Sequence, residues 1–261
     1  MNITATVNYH IKSEAPQAFE FDVDGIIGKL KSPELVSTLV NVQDLREGKR
    51  HTHFNQHGIE FVNSPSSIEH FSLDKSWEAT YNEELRDLLS KQIGAKDILV
   101  FDHTVRIDDP NAERRPARNV HNDFSEQAAR QRLIDLLGED SAQEFLQGHY
   151  AFVNVWRPIE QPIKSSPLGF IHPETVANDD WMNIELIYPD RQGQILGLAA
   201  NEDHEWFYLS SMTPAEVAIF NIYDNQGRPH LAHSALDITT NDSDAPAPRK
   251  SIESRTLVRY R

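Results

Sequence analysis

Apolar residues in this chain recur mostly at every second position, in short runs broken by Pro, Gly, Asn and Asp, and only twice at the three-and-four spacing of a helix. The early runs "ITATVNYHI", "LVNVQDLR" and "IEFVNS" read as extended pieces between polar stretches. The first helical pattern, "NEELRDLLSKQIG", places Leu85, Leu88, Leu89 and Ile93 on one face and stops at Gly94. "DILVFDHTVRI" follows as a buried strand, and the charged loop 112–118 leads into "NVHNDFSEQAARQRLIDLLG", where Ala129, Leu133, Leu136 and Leu137 mark the second helix. Beyond it, "YAFVNVWRPI", "WMNIELIYP", "QILGLAA", "HEWFYLS", "EVAIFNIYD", "RPHLAHSALDI" and "SIESRTLVRY" predict closely spaced strands, as in a β-sandwich or barrel. The polar segment "TTNDSDAPAPRK" is too short to link domains. The pattern therefore predicts one domain over 1–261, with 1–100 a strand-rich extension packed on a core over 101–261.

Composition narrows the chemistry. With 39% apolar residues over 261 positions, the chain can bury a globular core. Its 25 Lys and Arg against 40 Asp and Glu give a net charge of −15, which disfavours nucleic acid, since phosphate neutralisation needs clustered basic residues. The absence of cysteine excludes disulfides and thiolate metal sites, so any metal must be held by nitrogen and oxygen ligands. The N-terminus lacks the regions of a signal peptide, and no apolar run approaches the roughly 18 residues of a membrane helix. These features predict a soluble, cytoplasmic protein with a small-molecule partner and no nucleic-acid or membrane partner, and they leave a homodimer open.

Among the twelve histidines, His51, His53 and His57 in "HTHFNQHG" are densest, but their polar surroundings and lack of a well-spaced carboxylate read as a solvated loop. His is followed two residues later by a carboxylate at His121-Asn122-Asp123 and at His172-Pro173-Glu174. About one such match is expected by accident in an acidic chain of this composition. In an extended strand this spacing puts two ligands on one face, which suits His121 after Val120 better than a segment containing Pro173. Against metal binding stands Asp123-Phe124-Ser125-Glu126, the D-x-x-E form of a helix start, in which Asp123 or Ser125 can be the cap. Local sequence leaves capping and metal binding level.

The ordered segments "FDHTVR", "NVHNDFSEQAARQRL", "FVNVWRPI", "SPLGFIHPETV", "HEWFYLSSMTPAEVAIFNIYD", "HLAHSALD" and "PRKSIESRTL" together resemble the AsaB-like hydroxylase/desaturase family, which includes the cephamycin 7α-hydroxylation protein and a fungal gibberellin desaturase. The resemblance implies a mainly β fold with flanking helices and a double-stranded β-helix (jelly-roll) core. It also implies Fe(II), 2-oxoglutarate and O2, and hydroxylation or desaturation of a small substrate of secondary-metabolite type. On the family pattern, His121 and Asp123 match the His-x-Asp ligand pair and His233 the distal ligand, with His230 at a less regular position; two His and one carboxylate are the ligand set of non-haem Fe(II) oxygenases. Ser125 then becomes the cap, and His172 falls where relatives carry no ligand.

The resemblance extends to the surroundings. Trp156-Arg157-Pro158 matches the family pattern, and Trp156, Arg157 and Tyr208 are expected to bind substrate, with a cosubstrate contact or a structural ion pair as the alternatives for Arg157 and core or pocket wall as the alternative for Tyr208. Asn154 alternates with Trp156 and is expected to point into the barrel beside the cofactor, while His204 reads as structural. On the last strand, Arg249, Ser251, Glu253 and Arg255 share one face, with Ile252, Val258 and Tyr260 on the other. Arg249-Lys250-Ser251 copies the Arg-x-Ser carboxylate clamp of plant-type relatives, with Arg255 as second candidate and a solvated charged edge as the plain alternative. A cupin-like metal protein using no keto acid, or a non-catalytic jelly-roll binding protein, is the alternative function.

Overall fold

The computed structural model describes residues 2–21, 29–46, 51–238 and 247–260. The period-two runs become strands because their alternate side chains have two buried surfaces to meet. In chain order the elements are β1 (Asn2–His10), β2 (Gln17–Phe21), β3 (Lys29–Lys31), β4 (Leu35–Asp44), α1 (Phe54–His57), β5 (Ile59–Asn63), α2 (Glu78–Ile93), β6 (Asp97–Ile107), β7 (His121–Asn122), α3 (Glu126–Leu137), α4 (Glu139–Leu146), β8 (Tyr150–Pro158), β9 (Leu168–Ile171), β10 (Trp181–Ile187), β11 (Gln192–Leu198), β12 (Trp206–Tyr208), β13 (Glu216–Asp224), β14 (His233–Ala235), β15 (Asp237–Ile238) and β16 (Lys250–Arg259). They form an eleven-stranded sheet, ordered β15-β1-β4-β12-β9-β14-β7-β11-β10-β2-β3, and a five-stranded sheet, ordered β5-β13-β8-β16-β6.

Strand β8 shows how the layers are built, since all nine of its residues are buried. Tyr150, Phe152 and Trp156 meet Phe170 and Phe207 of the larger sheet in the central core. Ala151, Val153 and Val155 turn the other way and pack with Tyr81, Leu85 and Leu89 of α2, which covers the outside of the smaller sheet. Each fully buried Leu there contributes about 1.5–3 kcal/mol by removing apolar surface from water. A third cluster, including Val7, Tyr9, Val42, Leu198 and Trp206, lies where β1 and β4 join the larger sheet. β1 pairs with β4 from Asn2↔Gln43 to His10↔Leu35, β2 pairs with β10, and β5 with β13, so the first hundred residues supply strands to both sheets.

Several expectations change. β6 is half-buried rather than buried, because among the described residues it is an edge strand paired only with β16. "RPHLAHSALDI" is two strands, β14 between β9 and β7 and β15 beside β1, so one short run serves two places in the sheet. Helix α4 was not legible, having only Ala142 buried, and β9 is a four-residue apolar run too short to show a period. "HTHFNQHG" contains the short helix α1, ending at Gly58 with φ 72°, where an added Cβ would sit 2.1 Å from the Pro229 carbonyl oxygen, so only glycine fits. Most of "TTNDSDAPAPRK", residues 239–246, lies outside the described residues. Among the described residues, no helix is long and apolar enough to cross a membrane.

Candidate active site

A strand of only two residues carries the most chemistry. β7 lies between β14 and β11, with His121 opposite His233 on one side and Gly197 on the other. Residues directly opposite in an antiparallel ladder share a face, so the two imidazoles come together with ring centroids 4.5 Å apart. Asp123 follows two residues after His121, its Oδ1 3.5 Å from His121 Nε2. One potential ligand atom from each of His121, Asp123 and His233 lies within 4.8 Å of the others, and all three residues are buried.

Each side chain is oriented from behind. His121 Nδ1 donates to the Asn119 carbonyl at 2.8 Å and His233 Nδ1 to the Leu231 carbonyl at 3.0 Å, leaving both Nε2 lone pairs available. Asp123 Oδ2 accepts from Asn154 Nδ2 at 2.8 Å and from Arg255 Nε at 3.3 Å, leaving Oδ1 toward His121. Burial, aided by His121, pushes His233 down to about 3, so its ring is neutral at ordinary pH. Burial alone would raise the Asp123 carboxyl, but Arg255 and the neighbouring imidazoles hold it well below the usual carboxylate range. Helix α3 does not need Asp123 as its cap, because Ser125 Oγ accepts from the Ala128 backbone N–H at 3.1 Å.

The inner face of the smaller sheet brings a ladder of charge to this centre. In register across β6, β16 and β8 stand Asp102, Arg255 and Asn154, then Thr104, Glu253 and Trp156, then Arg106, Ser251 and Pro158. A cavity of about 20 Å³, room for little more than a water molecule, is bordered by His121, His233, Arg106, Arg249 and Glu253. Arg249 is buried; its Nε donates to Ser251 Oγ at 3.1 Å, its Nη1 to the Ser166 carbonyl at 2.7 Å, and its guanidinium lies over the Trp156 ring. Burial and Arg106 pull it down to about 9, which leaves it charged at neutral pH. Arg255 reaches three carboxylates, Asp123 through Nε, Asp102 through Nη1 at 3.2 Å and Glu253 through Nη2 at 3.0 Å. Burial would lower Arg255, but those carboxylates outweigh it and raise it.

The structure therefore gathers His121, Asp123, His233, Asn154, Arg249, Ser251 and Arg255 around one centre, with Asn154 and Arg255 on the Asp123 carboxylate. Trp156 is core beneath Arg249. Arg157 is not brought there: it sits on the opposite face of β8, with Nη1 donating to the Ser64 carbonyl at 3.0 Å and its guanidinium over Tyr81. Tyr208 packs with Trp206 in the outer cluster. His204 bonds Tyr9 Oη at 3.0 Å and Asp180 at 3.3 Å, a structural role as expected. His230 lies beside Trp181 and His172 against Phe207, neither of them in the triad.

Sequence reasoning missed Arg106, Asp102, Asn119 and His10. His10 is buried with Nε2 3.4 Å from Asn119 Nδ2, and burial together with His121 pushes it down to about 4. Its ring occupies space that Gly197 leaves, since a Cβ there would come 2.8 Å from His10 Cδ2. No local signal marks these residues, because strand pairing brings Arg106, Asp102 and His10 toward the triad and Asn119 acts through its backbone carbonyl.

A family model described as an oxidoreductase/YMDC permease-like domain matches residues 7–259. The chain is 32% identical to the Fe(II)/2-oxoglutarate-dependent dioxygenase nvfI of Aspergillus novofumigatus, over 84% of this chain and 82% of that protein. It is 27% identical to the hydroxylase/desaturase efuI of Hormonema carpetanum, over 98% of this chain and 94% of that protein. Its fold superposes on the solved iron- and alpha-ketoglutarate-dependent endoperoxidase NvfI with a TM-score of 0.88 at 26% identity, covering 99% of this chain and 98% of the other.

Proposed function

Because this chain belongs to the family of Fe(II)/2-oxoglutarate-dependent hydroxylases and desaturases, we propose that His121, Asp123 and His233 hold its iron and that Arg249 with Ser251 anchors the keto acid. The protein is an Fe(II)- and 2-oxoglutarate-dependent oxygenase built on a double-stranded β-helix core, and its substrates are small molecules. The observation that carries the ligand assignment is the convergence of two imidazole nitrogens and one carboxylate oxygen within 4.8 Å. That donor set fits Fe(II): two borderline nitrogen ligands and one hard oxygen occupy one side and leave positions open for other ligands.

When bound, Fe(II) with 2-oxoglutarate and O2 supplies oxidative decarboxylation of the keto acid and the oxidising power for hydroxylation or desaturation at carbon. The chain's residues do the placing. The Asn119 and Leu231 carbonyls fix the tautomers of His121 and His233, so each presents Nε2 without rotating. Arg249 supports the anchor assignment because it borders the same cavity as His121 and His233 and stays charged although buried. A keto acid carboxylate buried without such a cation would cost several kcal/mol. Phe170 and Phe220, 6.2 and 5.0 Å from the His233 ring, give the centre an apolar wall that excludes water from reacting carbon.

The test measures Mn(II) affinity and conversion of 2-oxoglutarate to succinate without primary substrate. His121→Ala, Asp123→Ala and His233→Ala are each expected to lose both, and His230→Ala to keep both. Arg249→Gln is expected to raise the apparent KM for 2-oxoglutarate by about tenfold or more. Full activity in His233→Ala with loss in His230→Ala would reject the distal ligand, and a KM rise confined to Arg255→Gln would reject the anchor.

A further inference from the structure

Asp123 has one oxygen toward His121 and the other tied back into the smaller sheet. Oδ2 accepts from Asn154 Nδ2 at 2.8 Å and Arg255 Nε at 3.3 Å. Asn154 and Arg255 face each other in register on β8 and β16, so both donors rise from paired strands rather than from a loop. Arg255 is itself held: Asp102 takes Nη1 and Glu253 takes Nη2, and with Asp123 on Nε every nitrogen of the guanidinium has a carboxylate partner. A planar fork bound on all its edges cannot rotate without breaking charge-assisted hydrogen bonds. Arg249, by contrast, borders the cavity and bonds Ser251 Oγ and the Ser166 carbonyl, whereas Arg255 is not among the residues bordering it.

Resting on the ligand assignment above, we propose that Arg255 is a positioning residue for the metal centre: together with Asn154 it fixes the Asp123 carboxylate so that the ion receives Oδ1 alone. Asp102 and Glu253 serve this role by fixing Arg255. A carboxylate with both oxygens free can rotate, bind through two oxygens or turn away, and it loses orientation entropy when the metal arrives. One already held at Oδ2 meets the ion in a single geometry and leaves the neighbouring coordination positions to the keto acid and O2. The arginine that the sequence offers as second choice for the keto acid thereby acts on the other side of the centre.

The experiment uses the full chain, with Mn(II) as metal probe followed by electron paramagnetic resonance and, separately, 2-oxoglutarate turnover titrated at saturating Fe(II). Arg255→Gln is expected to weaken Mn(II) binding about 10–100-fold and to change the resonance of the ion that still binds, with the KM for 2-oxoglutarate within about threefold of wild type. Arg255→Lys keeps the charge but not the fork, and is expected to show most of the same loss. Asn154→Ala, which removes the shorter donor to Oδ2, should lose about tenfold in Mn(II) affinity and gives the same test if Arg255→Gln does not fold. Mn(II) affinity within about threefold of wild type in both Arg255→Lys and Asn154→Ala, or an Arg255→Gln defect confined to the KM for 2-oxoglutarate, overturns the proposal. If His121→Ala, Asp123→Ala and His233→Ala also bind Mn(II) normally, the ligand assignment itself falls. The two failures are therefore distinguishable.

Discussion

Asp123 and Ser125 compete in the sequence for one job, and the structure separates them by a single hydrogen bond. Ser125 Oγ accepts from Ala128 N–H, whereas the Asp123 oxygens meet Asn154, Arg255 and His121. Removing a Ser cap costs about 1 kcal/mol. Ser125→Ala should therefore lower unfolding free energy in urea by about that amount and leave Mn(II) binding intact. Asp123→Asn should leave α3 capped while losing Mn(II) binding and turnover. A neutral Ser125→Ala paired with normal Mn(II) binding in Asp123→Asn would return the aspartate to capping. The residue types at the centre were legible, since His121, Asp123 and His233 can be named from spacing and family resemblance. The partners that orient them were not: Asn119 acts through its backbone carbonyl, and any residue carries one.

At the scale of elements, alternation was a reliable guide wherever a strand is long. β16 keeps strict alternation, so Arg249, Ser251, Glu253 and Arg255 lie on the inner face with Leu257 of the central core, and Ile252 and Val258 face α2. Phe101, an extra residue on β6 opposite Arg255 and Thr256, absorbs the register shift without disturbing β16. The same rule turned Arg157 away from the centre, because it is an odd neighbour of Asn154 and Trp156 on β8. Helix α2 covers the far side of this sheet, where Leu89 is wholly buried. Leu89→Ala should cost about 2–5 kcal/mol in urea unfolding, by lost transfer energy plus a cavity. Because a full sheet layer separates α2 from the triad, Mn(II) affinity of the folded protein should stay within about twofold. A large loss of affinity would mean that α2 packing reaches the centre. β7 shows the limit of alternation, since two residues carry no period.

The whole molecule depends on contacts between distant segments, and one charge network makes this testable. Arg118 donates to Asp237 at 2.8 Å and to Asp108 at 3.0 Å, and Ser166 Oγ donates to Asp108 at 2.6 Å, joining β15, the residue just after β6 and two loops. Burial would raise Asp108, but Ser166 and Arg118 hold it below the usual carboxylate range. A carboxyl depressed in the folded state contributes stability that is fully present above its unfolded pKa and is lost as pH falls through the folded value. Asp108→Asn should therefore cost about 1–3 kcal/mol near neutral pH, with the gap to wild type closing as pH falls below about 5. A gap independent of pH would show that the loss is packing rather than charge. By itself, the sequence determined the strand-rich architecture, the two principal helices and the nitrogen and oxygen ligand chemistry, because alternation, helical spacing and the lack of cysteine are local or compositional properties. Tertiary structure alone decided that His233 stands opposite His121 across one ladder, that Arg255 meets Asp123 while Arg249 borders the cavity, and that His10 fills the space beside Gly197. Those outcomes depend on which strands hydrogen-bond as neighbours and in what register, and β7, β14, β8 and β16 are brought together by pairing between segments far apart in the chain.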